Sequence, residues 1–189
     1  MRARPIVPVA ALAWSYAVIA LVLRSFPAPR PSIDRLCAGA PPFEVLVALL
    51  REAGFKHMLV RDTTAVPSAE ELAWVLKSPF ADSAGGAVKG AVSDLLTCTR
   101  TRSPLAPTLI TALGAAPLRG TFNAQDFTGP QGPTLITISA MGLAPDSSLA
   151  AVYWEYHCGA LCAGGTVSFF TRTSTGGWTP WRSQWLWAS

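Results

Sequence analysis

From Thr134 to the C-terminal Ser189 the sequence is divided into four strand-length runs by short turn-forming stretches, and this rhythm limits the fold more than any other feature. "TLITISAMGL" alternates Leu135, Thr137 and Ser139 against Ile136, Ile138 and Ala140. "PDSS" then makes a turn before "LAAVYWEYHC", and "STGG" separates "TVSFFTRT" from "WTPWRSQWLWAS". Side chains of a strand point alternately to its two faces, so such runs joined by tight turns predict an antiparallel meander of about four strands.

The residues before it follow a helical period. Phe43, Leu46, Val47 and Leu50 recur at helical spacing behind Pro42, and Gly54 offers a stop. "KHMLVRD" (56–62) reads as one short strand. Ser68 and Glu71 have the spacing of a capping box, opening a helix through Leu72, Val75 and Leu76 that Pro79 ends. Val88, Val92, Leu95 and Leu96 suit a third helix despite Gly90, and the Pro- and Gly-rich stretch 103–133 reads as loop with at most short helix. Helices first and strands later predict an α+β domain over 42–189, its helices packed on the C-terminal meander.

Ahead of this domain, residues 6–23 ("IVPVAALAWSYAVIALVL") contain no charge and are flanked by Arg2, Arg4 and Arg24. As a helix they would span roughly 27 Å, close to the roughly 30 Å hydrocarbon core. Residues 1–24 are therefore expected to be a transmembrane anchor or an uncleaved signal. Pro27, Pro29 and Pro31 break up a cleavage site, which favours the anchor. The Pro-rich residues 25–41 read as a tether, placing residues 42–189 in the periplasm or outside the cell. The net charge of +4 is carried by Arg2, Arg4, Arg24 and Arg30, because the other basic residues equal the eleven acidic ones. A neutral body with no basic patch excludes nucleic acid as the expected partner.

Four cysteines, Cys37, Cys98, Cys158 and Cys162, follow the apolar segment. In an exported protein an even number is read first as disulfides. Spacing favours Cys158 with Cys162, and Cys37 is left to find Cys98 or a cysteine of another chain. Along a straight strand Cys158 and Cys162 would lie about 13 Å apart, too far for a disulfide, so the chain must turn between them; Gly159 suits the turn, and Gly164 and Gly165 suit the restart of the next strand. A zinc site at His157, Cys158 and Cys162, completed by His57 or another cysteine, is the rival reading. It lacks a second closely spaced pair. A reactive thiol would need a cation or helix N-terminus that a hairpin loop does not supply.

The segments "ISAMGLAPD", "LAAVYWEYHCGALCAGG", "FFTRTSTGGW" and "WLWAS" resemble a broad group of exported bacterial proteins. Those proteins share a β-meander with a Cys-Gly-x-Leu-Cys loop, a Gly-x-Trp turn and a terminal Trp-x-Ser. "LLREAGFKHMLVRDTTAV" is similar to their helix–strand segment, so the resemblance covers most of 42–189. It implies the fold and export, and it brings no catalytic residue.

Catalytic motifs are few: there is no Gly-x-Ser-x-Gly, phosphate-binding glycine loop or His-Glu-x-x-His. Glu155 and His157 alternate onto one strand face and, with Arg172 in the same meander, make the alternative of an envelope hydrolase. No cofactor is implied. Alternation also places Trp181, Trp185 and Trp187 on one face, and Trp154 with Tyr156 on a face of their own strand. Buried, these rings make a core; exposed, they make a platform for cell-wall glycan or peptide. The balance of motifs points to a non-enzymatic binding or envelope role.

Overall fold

A computed structural model describes residues 41–54, 57–99, 102–119, 133–159 and 161–189. The chain divides into two compact units, 1–33 and 34–189, and the described residues all belong to the second. The expected anchor, the tether and Cys37 lie outside them. Among the described residues no helix is long and apolar enough to cross a membrane.

Helix α1 (Phe43–Ala53) starts behind Pro42, whose carbonyl accepts from the Val45 and Leu46 amides at 3.0 and 3.1 Å. It stops where Gly54 takes a left-handed φ of +67°, a conformation that glycine adopts without a Cβ clash. Its buried face is Val45, Leu46, Leu49 and Leu50, while Phe43 is left 47% exposed and Val47 half-buried, so the face is turned from the expected stripe of Phe43, Leu46, Val47 and Leu50. Strand β1 (Met58–Arg61) follows, then α2 (Ala69–Leu76), where the capping box forms in full. The Glu71 amide donates to Ser68 Oγ at 3.1 Å and the Ser68 amide donates to Glu71 Oε2 at 2.8 Å. Pro79 ends this helix and opens another, α3 (Pro79–Ser83). Helix α4 (Gly86–Cys98), α5 (Pro107–Ala112) and β2 (Ala116–Leu118) precede the meander β3 (Thr134–Leu143), β4 (Leu149–Gly159), β5 (Cys162–Arg172) and β6 (Trp178–Ala188).

The expected four antiparallel strands are present, but the sheet has six strands in the order β2-β1-β3-β4-β5-β6. β1 lies parallel to both β2 and β3, so the sheet is mixed. The α+β class therefore stands with a larger sheet. Parallel neighbours require crossovers, and the helices that make them cover both faces. α1 and α5 pack with Ile136, Ile138, Val152, Trp154 and Phe170 on one face. On the other, α2, α3 and α4 pack with Ala151, Tyr153, Val167 and Phe169.

α4 lies directly on the sheet. A Cβ on Gly142 would collide with the Ala91 carbonyl oxygen and the Leu95 backbone, so the approach depends on that glycine. Gly90 plays the matching part on the helix, where a Cβ would meet the ring of Pro145 at 2.5 Å. In the same seam Asp94 Oδ2 accepts from the Leu143 amide at 2.7 Å. Burial pushes its carboxyl up from the ordinary value of 3.8, against the pull of that hydrogen bond. A raised folded-state pKa favours the protonated form in the native state, so the associated stability is present at low pH and is lost as pH rises through the raised value. Asn keeps an acceptor for Leu143 without the charge. D94N is expected to be at least as stable as the native protein at pH 7, with the native protein gaining on it as the pH falls toward 4. Chemical denaturation across pH checks this, and a native protein that loses ground to D94N on acidification would contradict it.

Candidate ligand cleft

The cleft starts where β1 ends. Arg61 is its last residue, and the loop after it runs on beside β3, held by Ala65, whose amide donates to the Ile138 carbonyl at 2.8 Å. A second segment is bound to this loop from far along the chain. The Thr64 amide donates to the Ser103 carbonyl, the Ser103 amide donates to Thr64 Oγ1, each at 2.8 Å, and the Leu105 amide donates to the Asp62 carbonyl at 2.7 Å. These bonds bring Arg102 beside Arg61. On the sheet Thr137 and Glu155 are direct cross-strand partners, and Tyr153 precedes Glu155 by two residues on the same face.

Together they line a polar cavity of about 200 Å³, closed by Glu71 from the first turn of α2. Tyr153 is 2% exposed, and its phenol donates to Glu155 Oε2 at 3.1 Å. Burial raises the phenol's pKa well above 10, and the negative charge of Glu155 adds to this, so Tyr153 is a neutral donor that steadies the carboxylate. The Trp187 indole N–H approaches the phenol oxygen and opposes this shift, but makes no full hydrogen bond. Among the described residues, Thr137, 3% exposed, has no hydrogen-bond partner for its Oγ1. A buried hydroxyl without a partner is costly, and this one is enclosed beside the cavity rather than open to it.

Glu71 also borders a second compartment of about 380 Å³, formed by Ser68, Trp74, Leu186 and Trp187. Trp74 is 65% exposed. The Trp187 indole lies across Gly165, where a Cβ would collide with it, and the His157 ring is 6.2 Å from it. The charged inner chamber and the aromatic mouth thus adjoin at Glu71.

The residues singled out in the sequence are distributed differently from expectation. Trp181, Trp185 and Trp187 do not share one face. The β5–β6 ladder shifts register between Gly165 and Thr166 and between Phe169 and Phe170, and each shift breaks the alternation. Trp185 therefore meets Tyr156 at 6.0 Å on the α1 side, while Trp181 meets Phe80 at 5.3 Å and Phe169 at 6.4 Å on the α3 side. Trp154 and Tyr156 do share a face, 6.2 Å apart, and both belong to the α1-side core. Gly164 and Gly165 do more than restart β5, since they leave room for the rings of Tyr156 and Trp187.

Glu155, His157 and Arg172 do not converge either. Glu155 pairs with Gly165, seven residues before Arg172 on β5, which is about 23 Å along a strand. His157 faces Trp187, and Arg172 lies over the Trp178 ring at 5.7 Å. Cys158 and Cys162 are joined in a disulfide with Cα atoms 5.1 Å apart, made possible by a register shift at Cys158 and by Gly159 at φ +151°. That bond removes the two thiolates of the zinc alternative. Among the described residues no three His, Cys, Asp or Glu side chains cluster as metal ligands. Cys98 is also disulfide-bonded, and its expected partner Cys37 lies outside the described residues.

Arg61, Glu71, Trp74, Arg102, Thr137 and Tyr153 were not among the sequence candidates. Thr137, Tyr153 and Glu155 carried a signal, since all three are polar or amphipathic residues at inward positions of adjoining strands. Comparison with protein-family models, curated proteins and solved structures gave no match.

Proposed function

We propose that residues 42–189 form a non-enzymatic binding domain of the bacterial cell envelope, held at the membrane by residues 6–23 and belonging to the exported group that its C-terminal motifs resemble. The paired cysteines support an oxidising compartment, because such bonds persist outside the reducing cytosol. The observation that carries the binding role is the polar cavity lined by Arg61, Glu71, Arg102 and Glu155, which shares its Glu71 wall with an aromatic cleft at Trp74 and Trp187. Ligand sites combine an apolar lining with a few convergent polar groups, and this cleft has both.

The aromatic surface that serves the ligand is then Trp74 and Trp187, with Trp154 and Tyr156 supporting the core. Titration of the full chain with cell-wall sugars, dipeptides and amino acids is expected to give a saturable change in tryptophan fluorescence for one class. W74A should weaken that binding about tenfold, whereas W181A should leave it unchanged. The reverse pattern, with Trp181 needed and Trp74 dispensable, would place the ligand elsewhere.

A further inference from the structure

The inner chamber carries two guanidinium groups, Arg61 and Arg102, and two carboxylates, Glu71 and Glu155. Opposite charges in so small a space would be expected to pair. Among the described residues, neither arginine forms an ion pair with either carboxylate. Each carboxylate is instead held back by a neutral donor: Glu71 by the Ser68 amide at 2.8 Å, and Glu155 by the Tyr153 hydroxyl at 3.1 Å. The backbone that carries Arg61 and Arg102 is held by β1 and by the Thr64–Ser103 bonds. The four charges thus surround the cavity without touching across it.

This balance selects among ligands. A simple anion would be drawn by the arginines and repelled by the two carboxylates, and a simple cation would meet the opposite conflict. A neutral sugar would leave all four charges without a counter-charge. A ligand that carries one positive and one negative group a few bonds apart satisfies both pairs. At about 200 Å³ the chamber is below the roughly 300–1,000 Å³ usual for whole ligands, so it holds a small head and leaves the remainder to the mouth. There Trp74, Leu186 and Trp187 offer apolar surface.

We propose that the chamber binds a zwitterionic amine–carboxylate, a free α-amino acid or the end-groups of a short peptide. The carboxylate sits at Arg61 and Arg102, the ammonium at Glu155 and Glu71, and an apolar side chain at the Trp74–Trp187 mouth. This assignment rests on the binding reading and narrows it to one chemical class.

Calorimetric titration of the full chain in detergent micelles tests it with five probes: L-leucine, leucyl-leucine, N-acetyl-L-leucine, L-leucinamide and N-acetylglucosamine. L-leucine or leucyl-leucine is expected to bind saturably, and the tighter of the two identifies the source. Capping either charge should weaken binding about tenfold or more. R102Q, at an exposed position, should narrow the difference between L-leucine and L-leucinamide severalfold, and E155Q the difference between L-leucine and N-acetyl-L-leucine, with Arg61 and Glu71 retaining the rest. Circular dichroism checks that both variants are folded, and R102Q alone decides the matter if E155Q is not. Equal affinity for charged and capped leucine, or preference for the sugar, overturns the zwitterion and leaves the binding domain standing. Absence of saturable binding by all five removes both.

Discussion

G142A is expected to lower the stability of the domain by about 3 kcal/mol or more, a large part of the roughly 5–15 kcal/mol that holds an ordinary domain together. One methyl group has this effect because of what it would meet. The new Cβ would press on the Ala91 carbonyl oxygen and on the nitrogen and Cα of Leu95, all backbone atoms of α4 that no rotamer change can clear. Either α4 lifts from β3, opening the layer formed by Val88, Val92 and Leu95, or the strand bends. Two related substitutions calibrate the effect. G90A meets only the Pro145 ring at 2.5 Å and gains about 1 kcal/mol of helix propensity, so its net cost is smaller. G86A has open space around it at the start of α4 and is expected to be neutral or stabilising. Thermal unfolding of the full chain should show the Tm of G142A lowered by about 6–12 °C, with the order G142A, G90A, G86A. A Tm for G142A within about 2 °C of the native value would mean that the helix–sheet contact is looser than this account requires.

The same glycine marks where sequence reasoning stops. Ends of helices were legible, because Gly54, Pro79 and the Ser68–Glu71 pair act through local chemistry on their own neighbours, whereas the period of α1 put Phe43 and Val47 where Val45 and Leu49 are buried. So were β1 and the four meander strands. What the two edge layers do was not legible. β2 is three residues long, contains Pro117 and exists only by pairing parallel with β1 more than fifty residues earlier, so no local pattern announces it. The bulges of β6 leave no mark that composition reveals, yet they decide which tryptophans are neighbours. The candidate cleft was legible on the sheet side and hidden on the other. Thr137, Tyr153 and Glu155 follow from the strand period once register is known, whereas Arg102 reaches Arg61 through the Thr64–Ser103 bonds, a long-range contact between two loops.

That distinction between ring positions supplies the second large effect. W154A is expected to destabilise the domain by about 3–5 kcal/mol, while W185A, one strand-pair away on the same side of the sheet, should cost less than about 1 kcal/mol. Trp154 is 3% exposed and fills the layer between Val152, Phe170 and α1. Its indole N–H also donates to Ser168 Oγ at 2.9 Å. Ser168 in turn is joined to Ser183 on β6 at 2.9 Å and approaches Glu52 of α1 at 3.4 Å, so removing the indole leaves both a cavity and a broken, partly buried network that links four elements. Trp185 is 58% exposed and rests edge-on against Tyr156, a contact worth about 1 kcal/mol. W154F separates the two contributions, since it restores most of the volume without the donor, and should fall between W154A and the native protein. Urea denaturation followed by far-UV circular dichroism measures all three. If W185A proved as costly as W154A, the exposed ring of β6 would have to be covered by something that packs on it, and the face with Tyr156 would replace the Trp74–Trp187 mouth as the aromatic surface to probe for a ligand.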